Sequence, residues 1–173
     1  MKKIFFVIPL FVLSFGILKA QTFSLGGGFG AHILMFDKGI ENGLTINLLG
    51  NLSFNRIIEL EFRPGISIAS EFFGGEFGGY SKIFPLEEPI YLIIGLKLHW
   101  NQGDSRTGNG TRNDLYKLPI LGLGLKHKVL TIEILFQKPY PKGLTWSYIA
   151  NQYYYSKDFN RIISLNFGFS WQL

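Results

Sequence analysis

The chain has 173 residues, no cysteine and a formal charge of +5. The missing cysteine excludes disulfide frameworks, thiolate zinc sites, cysteine nucleophiles and an acylated lipoprotein cysteine. The length fits a single domain. The basic excess is no nucleic-acid footprint: Lys2, Lys3 and Lys19 all fall in the first twenty residues, and no basic stripe interleaved with aromatics follows them.

The N-terminus comes first. Lys2 and Lys3 precede an apolar run from Ile4 to Leu18 that contains Pro9, and the run ends in LKAQ. A charged start, a short apolar run and a small residue, Ala20, at the cut are the layout of a cleaved secretory signal peptide over residues 1–20. The run is too short and too broken for a spanning helix, which needs about 20 apolar residues. Residues 21–173 then form the domain, and loss of the three leader lysines leaves it with about two excess cations.

From residue 22 onward the apolar period is two, not 3.6. The first strand, near 22–36, sets Phe23, Leu25, Phe29, Ile33 and Met35 against Ser24, Gly26, Gly28, Gly30 and His32. The second, near 42–54, sets Leu44, Ile46, Leu48, Leu52 and Phe54 against Thr45, Asn47, Asn51 and Ser53. The third, near 56–69, sets Ile58, Leu60 and Phe62 against Glu59, Glu61 and Arg63. The fourth, near 73–84, is diluted by glycine but carries Glu76 and Lys82. The fifth, near 89–101, opposes Ile94, Leu96, Leu98 and Trp100 to Gly95, Lys97, His99 and Asn101. The sixth spans 115–126 and ends with Lys126. The seventh, near 129–139, opposes Leu130, Ile132, Ile134 and Phe136 to Thr131, Glu133, Leu135 and Gln137. The eighth, near 160–173, opposes Ile163, Leu165, Phe167, Phe169, Trp171 and Leu173 to Ser164, Asn166, Gly168, Ser170 and Gln172.

The links alternate in length. Those at 54–55, 85–89 and 127–128 are short, while DKGIEN, NQGDSRTGNGTRND and the segment 140–158 read as longer loops; the link near 69–72 is a short exception. This predicts an all-β, eight-stranded antiparallel up-and-down barrel with both termini at the tight-turn end. In a soluble barrel the large apolar residues point inward; in a transmembrane barrel they face lipid. Strands of about 10–14 residues exceed the usual 5–6 and suit a tilted membrane strand. The polar face is rich in glycine, as a narrow interior requires. Its charges also balance: Glu59, Glu61, Glu76 and Glu133 against Arg63, Lys82, Lys97 and Lys126. An unpaired charge in a dry lumen is costly. These residues, with His99, form the predicted lumen network, six of them (Glu59, Glu61, Arg63, Lys97, Lys126 and Glu133) in one connected set. Phe54, Phe84, Tyr91, Trp100, Tyr116, Phe136, Tyr140 and Trp171 lie near strand ends and read as interfacial girdles.

The leader, the alternating strands and the final LNFGFSWQL together resemble the small eight-stranded outer-membrane barrels of the OmpA/OmpX-like group. The resemblance implies an outer-membrane location, contact with its lipid, and reading of the last strand (Phe167, Phe169, Trp171, Leu173) by the barrel-assembly machinery. That strand usually ends in an aromatic residue; this one ends in Leu173.

Other chemistry is thin. Gly26, Gly28 and Ala31 match a dinucleotide variant but open no helix. The three histidines, His32, His99 and His127, have no serine beside them and no carboxylate cluster. GDSRTGNGTRND lacks the spaced oxygens of a calcium loop, and the two glycosylation sequons, NLS and NGT, are cheap matches. No cofactor, metal or nucleic acid is expected. The reading is a monomeric, non-enzymatic, structural or adhesive barrel with a filled lumen, whose surface ligand would meet loop 140–158. Its rivals are a secreted soluble barrel carrying an apolar ligand and a lipid-modifying barrel enzyme.

Overall fold

The computed structural model describes residues 22–37, 39–54, 57–69, 73–85, 89–101, 114–140, 143–148 and 153–173; for 114, 143–148 and 153–159 it describes the backbone alone. The proposed leader and the loop 102–113 lie outside the described residues.

Alternation of apolar and polar residues makes each segment a strand with two distinct faces. The strands are β1 (Thr22–Phe36), β2 (Gly39–Ser53), β3 (Ile58–Ala69), β4 (Gly74–Ile83), β5 (Ile90–Asn101), β6 (Asp114–His127), β7 (Leu130–Gln137), β8 (Gly143–Tyr148) and β9 (Tyr153–Gln172). Each pairs antiparallel with the next through β7, which pairs with β9, and β9 closes on β1. The closed wall therefore has eight strands, β1–β7 and β9. Closure leaves no edge strand within this wall. The seam holds from Ser24↔Gln172 to Met35↔Arg161, and the Leu173 amide adds a bond to the Phe23 carbonyl (3.0 Å).

Both described termini lie at the end that holds the turns after β2, β4 and β6. The β6–β7 turn is two residues, with Lys128 in the left-handed region at φ 55°. At the opposite end two expected loops are instead sheet. The last four residues of DKGIEN are paired: β2 begins at Gly39, whose φ of 156° serves the sharp reversal, and Leu34↔Glu41 and Ile33↔Asn42 continue the ladder. Within 140–158, β8 pairs with the first part of β9, from Gly143↔Asp158 to Tyr148↔Tyr153, so a hairpin extends past the barrel wall. The last strand accordingly starts at Tyr153, not near 160.

The faces are inverted relative to a soluble barrel. Leu48 is 68% exposed and Leu121 60%, while Arg63 is 4%. Two apolar clusters nevertheless lie inside: Leu34, Phe36, Tyr116, Leu118 and Ile162 toward the loop end, and Tyr80, Phe84, Tyr91, Ile93, Ile120 and Leu135 toward the turn end. Phe84, Tyr91 and Tyr116 thus point into the lumen and are not girdle residues. They share strand parity with Lys82, Lys97 and Lys126, which decides the face.

The β1–β9 seam allows backbone contact only because Gly26 lacks a Cβ. An added Cβ there would meet the Phe169 carbonyl and lie 2.6 Å from the Ser170 Cα, whereas one at Gly75 meets nothing within 4 Å. Gly26→Val is expected to lose at least about 1–3 kcal/mol through overpacking, seen as loss of the compact, heat-modifiable band of the refolded barrel on a gel. Gly75→Val should keep that band.

Candidate functional site: the filled lumen

The inward face of β3 presents Glu59, Glu61 and Arg63 in successive positions. Register places Lys82 of β4 opposite Glu59, and Tyr80 opposite Glu61. β7 stands four strands from β3 in the ring of eight, on the far wall, and sends Glu133 inward. Arg63 spans that gap: its Nη2 donates to Glu133 Oε2 at 2.7 Å, its Nε donates to Glu61 Oε1 at 2.8 Å, and its Nη2 is also paired with Glu61. Lys82 Nζ donates to Glu61 Oε2 at 2.7 Å and lies 2.9 Å from Glu133 Oε1 and 3.8 Å from Glu59 Oε1. Tyr91 Oη donates to Glu133 Oε1 at 2.8 Å. Lys126 Nζ closes the set on Glu59 Oε2 at 2.6 Å, where Ser53 Oγ also donates at 3.3 Å. Three carboxylates meet three cations, with no net charge.

Aromatic rings line the cations. Arg63 lies 4.5 Å over Tyr80, Lys82 5.1 Å over Tyr91 and Lys126 5.7 Å over Phe84. Such contacts gain strength away from water. Space for the rings comes from glycine: a Cβ at Gly124 would strike the Tyr91 ring, and one at Gly78 the Tyr80 ring.

A second cluster sits nearer the loop end. Lys97 Nζ lies 2.9 Å from Glu76 Oε2, Thr45 Oγ1 donates to Glu76 Oε1 at 2.8 Å, and His99 Nδ1 is 3.9 Å from Glu76 Oε2. The ion pairs among the described residues do not link Lys97 to the Arg63 set, so the single network expected to contain both is two. The cause is axial separation: Lys97 and Glu76 lie toward the loop ends of β5 and β4, while Glu59, Lys82 and Lys126 lie near the turns.

Next to this cluster His32 Nδ1 is 2.7 Å from Ser164 Oγ, and Gln137 Nε2 donates to the same oxygen at 2.5 Å. Sequence inspection missed this serine because the two residues are 132 positions apart and meet only at the closing seam. The pair has the chemistry of a nucleophile and base, but Ser164 is fully buried and His32 is 3% exposed. No acid orients the other ring nitrogen: His32 Nε2 has no partner among the described residues. A triad needs both an orienting acid and access for substrate. His127 is exposed at the β6–β7 turn. The dinucleotide-like glycines lie in β1 facing the lumen, and Asn51 of the first sequon is buried, donating to Ser24 Oγ at 3.2 Å. No group of three metal-ligating side chains occurs among the described residues.

A small void lies against Arg63 and Glu133, with a volume of about 10 Å³. That is at most one water.

No known sequence family matches the chain, and no curated protein is similar to it in sequence. Solved structures are similar in fold. Neisserial surface protein A (NspA) aligns with a TM-score of 0.52 at 10% identity, over 86% of this chain and 95% of that one. The N-terminal β-barrel domain of Pseudomonas aeruginosa OprF aligns with a TM-score of 0.48 at 12% identity, over 86% and 97%. The chain has the eight-stranded antiparallel barrel fold. At this identity the likeness to NspA is one of architecture, and the lumen residues are this chain's own.

Glu133→Gln keeps shape but leaves a buried excess cation, and should cost about 3–5 kcal/mol in urea unfolding. Lys97→Met, which strands Glu76, should add to it within about 0.5 kcal/mol, because the two share no partner. Lys82→Met should cost less in the Glu133→Gln background than alone. Strict additivity for Lys82 and Glu133 would refute the shared cluster.

Proposed function

We propose that the chain is an integral outer-membrane β-barrel, monomeric and non-conducting, that presents its loop-end hairpin to the exterior. One observation carries this: paired charges fill the inside while the outside is apolar. Among the described outward residues of the strands, only Lys117 and Arg161 are charged, both toward the loop end, and His127 ends the face at the turn side. A 12-residue strand such as β3 extends about 40 Å, and a tilt of about 45° brings that near the 30 Å thickness of a hydrocarbon core. The fold shared with a bacterial surface protein supports the same reading.

The lumen argues against a pore, since eight strands leave room for side chains and little else. It argues equally against the soluble ligand carrier, which would turn its apolar faces inward around a cavity. Burial of Ser164 and His32 speaks against a lipid-modifying enzyme. The role that remains is structural or adhesive, exercised through the β8–β9 hairpin and the neighbouring links. The lipid of the outer membrane is then the solvent of the barrel, and the assembly machinery would receive it through Phe167, Phe169, Trp171 and Leu173.

Two measurements test the reading. Single cysteines at 163–173, in a chain that has none of its own, would carry a fluorophore exposed to a lipid-soluble quencher in vesicles. Quenching should be strong at odd positions and weak at even ones; a flat profile rejects the membrane assignment. Phe169→Arg, near the turn end of the same strand, should destabilise the inserted barrel by about 2 kcal/mol, the low end of the range for a lipid-facing cation. Separately, reconstituted protein should give no steady conductance steps in planar bilayers, and reproducible steps would exclude the filled lumen.

A further inference from the structure

The loop end of the wall between β6 and β1 has an outward feature that the filled lumen does not explain. The β7–β9 ladder stops at Gln137↔Ile162 and resumes, through β8, at Gly143↔Asp158. The stretches between these two pairs differ in length by two residues, so the ladder is interrupted here. The β1–β9 register slips at the same level, from Met35↔Arg161 to Phe36↔Phe159. Beside these two irregularities lies an open groove of about 790 Å³, lined by Met35, Leu121, Phe136, Lys138, Asn160 and Arg161 and reaching between the strands to the inward-facing Ile120 and Gln137. Bulges of this kind re-aim side chains.

Chemistry in the groove is layered. Lys138 and Arg161 each lie one residue beyond the last β7–β9 ladder pair, Gln137↔Ile162, and both line the groove. Arg161 pairs with Met35, and the Lys138 amide bonds the Pro119 carbonyl at 3.3 Å. One step nearer the midplane, the same neighbours are Leu121, Phe136 and Ile163. One step farther out, Lys117 bridges to Tyr140. Lys117, Lys138 and Arg161 are all exposed, and none has an ion pair among the described residues. Of the described acids of this rim, Asp37 and Glu41 lie at the β1–β2 link, Asp114 begins β6, and Asp158 pairs with Gly143 at the base of the hairpin.

A single cation at such a rim needs no explanation, because long basic side chains reach from an apolar wall to its polar boundary. Two cations lining one groove do, because like charges at close range repel. An anion between them reverses the sign. Its position, above Leu121 and Phe136, places that anion at the head of an apolar chain lying down the wall. We infer that this groove binds a phosphate-bearing membrane lipid, with the phosphate held by Lys138 and Arg161, supported by Lys117, and an acyl chain along Phe136 and Leu121. This rests on the membrane reading above. Arginine supplies the forked donor geometry for phosphate oxygens and lysine a second point charge.

The test uses the mature chain in vesicles and in detergent. Flotation with vesicles of phosphatidylcholine alone comes first: failure to float rejects the membrane reading and this site with it. With flotation established, native mass spectrometry from a neutral detergent compares retention of phosphatidylglycerol with that of phosphatidylcholine. Phosphatidylglycerol should be kept preferentially. Each basic residue near a lipid surface contributes roughly a fivefold change in binding, so Lys138→Gln with Arg161→Gln should weaken retention roughly 25-fold. The conservative pair Lys138→Arg with Arg161→Lys should keep it, as should Lys128→Gln at the opposite end of the barrel. Flotation together with equal retention of both lipids, or retention unchanged in the double glutamine variant, overturns the site while leaving the membrane reading intact. Displacement of the lipid by millimolar inorganic phosphate alone would also overturn it, by showing an anion site without a lipid.

Discussion

The bond from Arg63 to Glu133 crosses the barrel, and most of the structure depends on the constraint it meets. A charge removed from water must find an opposite charge or a set of donors, or the fold does not survive. Arg63 is held by Glu61 on its own strand and by Glu133 on the far wall. Those carboxylates in turn hold Lys82, and Glu59 holds Lys126. The bonds from Arg63 to Glu133 and from Lys126 to Glu59 cannot form until β3, β6 and β7 occupy their places in the ring. The network is thus a test of closure: register slippage by one residue would turn the glutamates outward and the isoleucines inward.

The same constraint shapes the rest of the interior. Charge occupies the turn-end half, where Tyr80, Tyr91 and Phe84 shield it, and glycines at 78 and 124 make room for two of the rings. Nearer the loop end a smaller polar layer around Glu76 and Lys97 gives way to Leu34, Phe36, Tyr116, Leu118 and Ile162. An apolar stopper at that end keeps water from the buried charges beneath it. The barrel is filled in layers, and each layer is neutral in itself.

At the outer rim the ladder is deliberately irregular. The wall is apolar up to the level of Ile33, Leu121, Phe136 and Ile163, and just beyond it the β7–β9 and β1–β9 registers both change. Above this level the β8–β9 hairpin continues as backbone pairing without a barrel around it. On the proposed membrane reading, the surface that meets something other than hydrocarbon begins where the regular sheet ends.

The sequence by itself determined the faces. Period-two alternation decided which residues are inside, because side chains on a strand have only two directions, and the equal numbers of acids and bases on one face already implied a dry lumen. It also held the correct placement of Phe84, Tyr91 and Tyr116, whose parity outweighs their position near strand ends. The ends of the sheet were not legible. Charged and polar residues in DKGIEN and in 140–158 mark where the apolar band stops, not where backbone pairing stops, and pairing goes on past it. Contacts across the lumen and the seam were decided only by tertiary structure. His32 with Ser164, Arg63 with Glu133, and Lys138 and Arg161 on one groove depend on which strands become neighbours or opposites when the ring closes. The distances along the chain carry no trace of that, because closure brings together residues from any two strands at equal axial height.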